Sequence, residues 1–325
     1  MTIVKTTGHI YGMSRRTLAT TALVVAALLG PAGAASAASP PLSHARILAH
    51  FDVTAGQQPE NLLVEPAGID LVFARSFQVV RIDNHHRSQV LTTLPTPTDG
   101  GVHTPRIGFA IATGIARATD GSYYVGYAAG SDDLTGVWRF RPGQQPTRVV
   151  PLTAASFPNG LAVDPRTGSI YVADSSLGVV WRAPSGGGTP TAWSTAPELA
   201  PTTLFGANGL KVHNGAVWVS NLDRGTLVRI PLSGGRAQTR FTGAPGIDDF
   251  TFVGDGDTVL AANNGVEQVV LIRPDGSAST VLTADDGLHE PTAVALDGST
   301  VYVTSAAYSS RNDPNLLVAH LSGRS

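Results

Sequence analysis

Phe157–Pro184 reads FPNGLAVDPRTGSIYVADSSLGVVWRAP. Its three β-rich runs, LAV, SIYVA and GVVWR, are separated by the turn-forming DPRTG and DSSL. Asn159 stands just ahead of the first run. The phrase recurs along the chain. Asn208-Gly209 leads to AVWVS and TLVRI, and Asp248-Asp249 leads to TVLAA and QVVLI. Upstream, Thr113-Gly114 leads to SYYVGYA and GVWRF, and Glu60-Asn61 to IDLVFA and QVVRI; downstream, Thr292 leads to VYVTSA and LLVAHL. The phase-matched positions 60, 113, 159, 208, 248 and 292 are spaced by 53, 46, 49, 40 and 44 residues. Several strands per period of this length predict an all-β fold, a six-bladed β-propeller over residues 46–325.

Five of the repeats carry a further run after the third, such as QVLTTL from 89 and TRVVPL from 147, and the sixth lacks one. Arg46–Phe51, RILAHF, has no partner in its own repeat. It is expected to join the last blade and close the ring, because a closed ring leaves no strand edge between first and last blades.

Ahead of it, residues 1–37 read as a signal peptide. Arg15-Arg16 precedes the apolar run Leu18–Leu29, and Ala35-Ser36-Ala37 offers a small-residue cleavage site. Ser14-Arg15-Arg16-Thr17-Leu18 also fits a twin-arginine leader, with Met13 placed as its natural start. Residues 38–45 form a linker, and the mature chain is expected to be secreted. The leader takes three of the 22 basic residues and none of the 24 acidic ones, leaving a mildly acidic chain without a basic run. That argues against nucleic acid as a partner, and no membrane partner is expected once the leader is removed. With no cysteine, disulfides and thiolate metal sites are excluded. The expected state is a monomer with a small-molecule ligand.

In a propeller the residues just before the innermost strands converge on one mouth of the central channel. Here they are Glu60, Thr113, Asn159, Asn208, Asp248 and Thr292. Carboxylate and amide oxygens of mixed charge suit a hard cation such as calcium. Asn-Gly and Asp are equally ordinary turn residues, and a narrow channel can hold water alone. Recurrence at matched phase favours the metal.

In the order PENLLV, FPNGLAVD, GANGLKV and IDDFTF, from Arg46 to the C-terminus, the chain resembles the senescence marker protein/gluconolactonase group of regucalcin-like six-bladed propellers. The resemblance implies a divalent cation, calcium, held by Glu60, Asn208 and Asp248, with Asn159 on substrate or metal. It further implies a hydrolase of a lactone or ester in which the cation polarises a carbonyl and Asp248 takes a proton from the attacking water. Two positions depart from the group: Glu60-Asn61-Leu62 replaces its usual Glu-Gly-Pro, and Phe157 stands where sugar-lactone hydrolases carry an arginine. Both point away from a simple sugar lactone. The variant motifs look more like secreted propellers common in fungi, some of them non-hydrolytic hetero-Diels–Alder cyclases.

Loops on the same face complete the mouth. His103, in the connection before Thr113, is a candidate proton shuttle or a solvated loop residue. Phe157 and its neighbours Phe205, Leu204 and Phe109 suggest an apolar rim for a hydrophobic ligand. The expected substrate contacts are thus Asn159, His103, Thr113 and Phe157. Three classes stay open: a metal-dependent hydrolase, a non-hydrolytic enzyme or small-molecule binder using the same mouth, and a non-catalytic scaffold.

Overall fold

Short alternating runs rich in Val, Ile, Tyr and Trp, punctuated by Gly and Asp turns, have one stable outcome here: four-stranded antiparallel sheets. The computed structural model describes residues 41–322, so the leader at 1–37 and the start of the 38–45 linker lie outside the described residues. Strand β1 is Leu42–His50. Blade one comprises β2 (Pro59–Glu65), β3 (Gly68–Phe73), β4 (Gln78–Asp83) and β5 (Ser88–Thr93). Blade two comprises β6 (Ile111–Arg117), β7 (Tyr123–Ala128), β8 (Gly136–Phe140) and β9 (Thr147–Pro151). Blade three holds β10 (Pro158–Asp164), β11 (Ser169–Asp174), β12 (Val179–Pro184) and β13 (Thr191–Ser194). Blade four holds β14 (Ala207–His213), β15 (Ala216–Asn221), β16 (Thr226–Pro231) and β17 (Gln238–Thr242). Blade five is β18 (Ile247–Phe252), β19 (Val259–Asn263), β20 (Gln268–Ile272) and β21 (Ala278–Leu282). Blade six has β22 (Pro291–Asp297), β23 (Thr300–Ser305) and β24 (Asn315–Leu321) from its own repeat, and β1 as its outermost strand.

The fold is therefore the expected six-bladed β-propeller. The innermost strands β2, β6, β10, β14, β18 and β22 touch in sequence, and β22 touches β2, which closes the ring. Strand β1 runs antiparallel to β24 from Leu42 opposite Leu321 to His50 opposite Asn315. It begins four residues ahead of the expected Arg46, because Leu42 reaches a buried site beside Leu260, Val269 and Leu321.

Each blade's second strand is covered by a neighbour on both faces, so its side chains are apolar in both directions. In β3, Leu71 packs towards Ala293 and Leu316 of blade six, while Val72 packs towards Tyr123 and Val125 of blade two. The pattern repeats, and each blade-to-blade interface carries its own apolar cluster. Trp138 lies in the cluster between blades one and two, and Trp218 in that between blades four and five. Among the described residues no helix is long and apolar enough to cross a membrane.

Two consequences are measurable. A chain beginning at Asp52 lacks β1 and should lose its cooperative thermal unfolding; a soluble, cooperative truncation would refute the closure role. Gly160 lies in β10 against the next blade, and a Cβ there would meet Leu210 N at 2.4 Å and Asn208 O at 2.5 Å. Gly160→Ala should cost about 3 kcal/mol by overpacking, whereas Gly186→Ala, which faces open space, should change stability by less than about 0.5 kcal/mol. Urea melts of the two variants decide it.

Candidate functional site

The six phase-matched positions share a backbone irregularity. Strand pairing is interrupted between Pro59 and Asn61, Ala112 and Ile115, Pro158 and Leu161, Ala207 and Leu210, Ile247 and Phe250, and Pro291 and Ala293. Each interruption contains one residue of the expected ring. A bulge bends its strand and re-aims the side chain it carries. The sequence places the ring, and the bulges open it towards the mouth.

Four of the six ring residues, Glu60, Asn159, Asn208 and Asp248, line a cavity of about 390 Å³. All four are buried, none being more than 7% exposed. The walls are apolar: Ile107, Phe109, Ile111, Phe157, Phe205 and Leu222. Phe157 packs on Phe205 at 4.7 Å between ring centroids and lies in a buried cluster with Ala74, Ile111 and Ala128. Asn159 donates from Nδ2 to Ser175 Oγ at 3.3 Å. Arg75, Tyr308 and Arg311 complete the lining on one side.

The remaining expected contacts lie elsewhere. Thr113 and Thr292 are wholly buried, and their hydroxyls donate to the Pro158 and Pro59 carbonyls at 2.8 Å. Each latches one inner strand to the next blade instead of facing the cavity. His103 is exposed on its loop and is not among the cavity-lining residues.

Burial dominates the electrostatics. Desolvation pushes the Glu60 carboxyl up to about 7; the Tyr308 hydroxyl, donating to Oε2 at 2.5 Å, works against this, and the charge of Asp249 adds to it. Asp248 is raised well above the usual carboxylate range by desolvation first, then by Glu60 and Asp249, with a hydrogen bond from Asn208 opposing. Burial beside Glu60 likewise keeps the Tyr308 phenol protonated. Two carboxyls that resist ionising together share protons across the neutral range.

The expected calcium centre is not borne out. Among the described residues no group of three or more His, Cys, Asp and Glu side chains is placed to hold a metal ion. Only two acids, Glu60 and Asp248, line the cavity, and Glu60 is already capped by the Tyr308 hydroxyl. The third acid, Asp249, is turned aside by the alternation of β18. Its Oδ2 accepts from Lys211 Nζ at 2.6 Å and from Asn61 Nδ2 at 2.9 Å. A hard cation needs six to eight oxygens with enough anionic charge among them; here Asp249 is committed to Lys211, which leaves only two carboxyls at the cavity. The set Glu60, Asn208 and Asp248 therefore does not fit the divalent cation, and the metal-dependent lactone or ester hydrolase built on it is withdrawn. The Asp249 cluster joins residues of blades one, four and five.

Sequence reasoning missed Arg75, Tyr308 and Arg311. All three sit in connections between second and third strands, outside the repeated phrase. The available signal was length: blade six spends residues 306–314 on this connection, blade one only 74–77.

The raised carboxyls set the sign of the pH response. A group whose pKa is higher in the folded chain stabilises it fully below its unfolded value and loses that contribution as pH rises through the folded value. For Glu60 the window runs from 4.5 to about 7. The wild type should lose on the order of 3 kcal/mol of stability across that window from this group alone. Glu60→Gln should flatten the loss in urea melts taken from pH 5 to pH 8; an unchanged slope would show that Glu60 ionises normally.

No family model matches the chain, and no curated protein matches it in sequence. Solved structures do match in fold. A gluconolactonase from Xanthomonas campestris is 15% identical over 87% of this chain and 96% of its own, with a TM-score of 0.60. The calcium-binding protein regucalcin from Agrobacterium tumefaciens is 16% identical over 81% and 90%, with a TM-score of 0.59. A catalytically inactive virginiamycin B lyase from Staphylococcus aureus, solved with quinupristin, is 14% identical over 82% and 81%, with a TM-score of 0.54. At these identities the likeness is one of fold alone.

Proposed function

We propose that the chain binds a largely apolar small molecule in the mouth cavity and moves a proton on it with Glu60 and Asp248, in a non-hydrolytic reaction such as an elimination, isomerisation or cyclisation. The observation that carries this reading is the pairing of two buried, mutually opposed carboxyls with an apolar cavity of about 390 Å³. A carboxyl held near neutrality by desolvation is a stronger base than a solvated one when ionised, and a competent acid when protonated. Asn159 and Asn208 supply amide groups to orient a substrate oxygen beside the pair. Phe157 and Phe205 supply the surface that recognises the apolar part. The cyclase-like resemblance of the Glu60-Asn61-Leu62 and Asp248-Asp249-Phe250 motifs supports chemistry without hydrolysis, as does the occurrence of a lyase on the same fold. If the leader read at residues 1–37 is removed as expected, this chemistry takes place outside the cell.

The test uses a reporter of a base in an apolar site, the ring opening of 5-nitrobenzisoxazole. A base removes the ring C–H proton, the N–O bond breaks, and the coloured cyanophenolate is released. The mature chain should open it at least about tenfold faster than the same concentration of acetate. The rate should rise with pH through about 7 as Glu60 ionises, and both Glu60→Gln and Asp248→Asn should lower it. A rate no greater than that of free acetate, or one unchanged in both variants, would remove the proton-transfer role.

A further inference from the structure

Several charges set against the blades are matched: Arg81 grips Asp70 at 2.7 Å, Lys211 reaches Asp249 at 2.6 Å, and Arg117 meets Glu65 at 2.6 Å. Half-buried Arg75 and exposed Arg311 are not. Both line the mouth cavity, and neither has an ion pair with an acid among the described residues. The Arg75 guanidinium sits over the Phe109 ring, 3.7 Å from its centroid, and its Nη1 is sealed from solvent without a hydrogen-bond partner. A buried donor without an acceptor is costly, more so when it is charged. Of the two acids lining the cavity, Glu60 is already taken by the Tyr308 hydroxyl. Each arginine also repels the other: burial first, and then Arg311, lowers the Arg75 pKa, with Tyr308 opposing.

The rest of the cavity narrows the identity of the missing partner. Apart from the arginines and the polar groups of the ring side, the walls are aromatic and aliphatic, with Phe109, Phe157 and Phe205 among them. Arg75 is already stacked on one ring, and its planar fork matches a carboxylate two oxygens to two nitrogens. The buried acids Glu60 and Asp248 line the same cavity and disfavour a dianion over a singly charged carboxylate. From the unpaired arginines, the orphaned Nη1 and the aromatic walls, we infer that the cavity takes an aromatic carboxylate, its anionic group held by Arg75 and steered by Arg311, its ring system lying against Phe157 and Phe205. This rests on the small-molecule reading of the cavity and specifies the ligand class for it. The ligand is thus held at one end by cations and presented at the other to Glu60 and Asp248.

The test compares 2-naphthylacetate with its uncharged isostere 2-naphthylacetamide by calorimetry near pH 6, where both arginines are charged. The carboxylate should bind at least about tenfold more tightly, the difference expected of one charge-assisted bidentate contact. Arg75→Gln should bring the two ligands to within about twofold of each other without weakening the amide. Arg311→Gln should reduce the preference by a smaller factor. Because Arg75 makes no hydrogen bond to the protein, Arg75→Gln should keep a cooperative melt well above the assay temperature, so lost binding would not report unfolding. Equal affinity of the two ligands for the wild type, or a preference that survives Arg75→Gln, overturns the carboxylate assignment and leaves the cavity a small-molecule site. Binding of neither ligand overturns both.

Discussion

Six strands meeting around one axis leave almost no volume at the centre, and the chain answers with glycine on one half of the ring. A Cβ at Gly114 would stand 2.5 Å from Asn159 O, and one at Gly209 would stand 2.5 Å from Asp249 Oδ1 and 2.7 Å from Asp248 O. Gly160 closes the interval between them in the same way. On the other half the equivalent positions are Asn61, Asp249 and Ala293, and the space is filled by the Asn61–Asp249–Lys211 cluster. With the axis this crowded, four of the residues just before these positions, Glu60, Asn159, Asn208 and Asp248, face the mouth cavity, where the bulges aim them. The carboxyls of Glu60 and Asp248 are desolvated as a result, and their raised pKa values follow from the packing of the ring.

That chain of causes explains what could be read in advance. The period, the strand order and the closing strand are legible because each blade must bury both faces of its second strand, which writes the same apolar phrase six times. The ring positions are legible for the same reason. The roles within the ring are less so. Thr113 and Asn159 occupy equivalent places in the phrase, yet the threonine hydroxyl is short enough to reach the next blade's carbonyl and is consumed there. The asparagine is longer and remains at the cavity. Arg75, Tyr308 and Arg311 belong to connections that do not repeat, so no periodic argument reaches them.

The metal assignment failed on a count of charges that one dimension cannot supply. Glu, Asn and Asp in order look like an oxygen cage. Strand alternation sends the Asp249 carboxylate away from it, to Lys211 of the neighbouring blade. Asp248 is left with Glu60, itself capped by a phenol hydroxyl, and a buried pair of acids can shed charge by keeping a proton as readily as by gathering a cation. The choice turns on Tyr308, which is 248 residues from Glu60 in the chain and 2.5 Å from it in space.

The Asn61–Asp249–Lys211 cluster bears on cooperativity as well as on shape. One buried carboxylate takes donors from blade one and blade four while standing in blade five, and its partner Asn61 is 188 residues away in the chain. Withdrawing either donor leaves a charge inside the ring without its partner. Loosening of any one of these three blades is therefore felt by the other two, and the ring resists opening piecemeal.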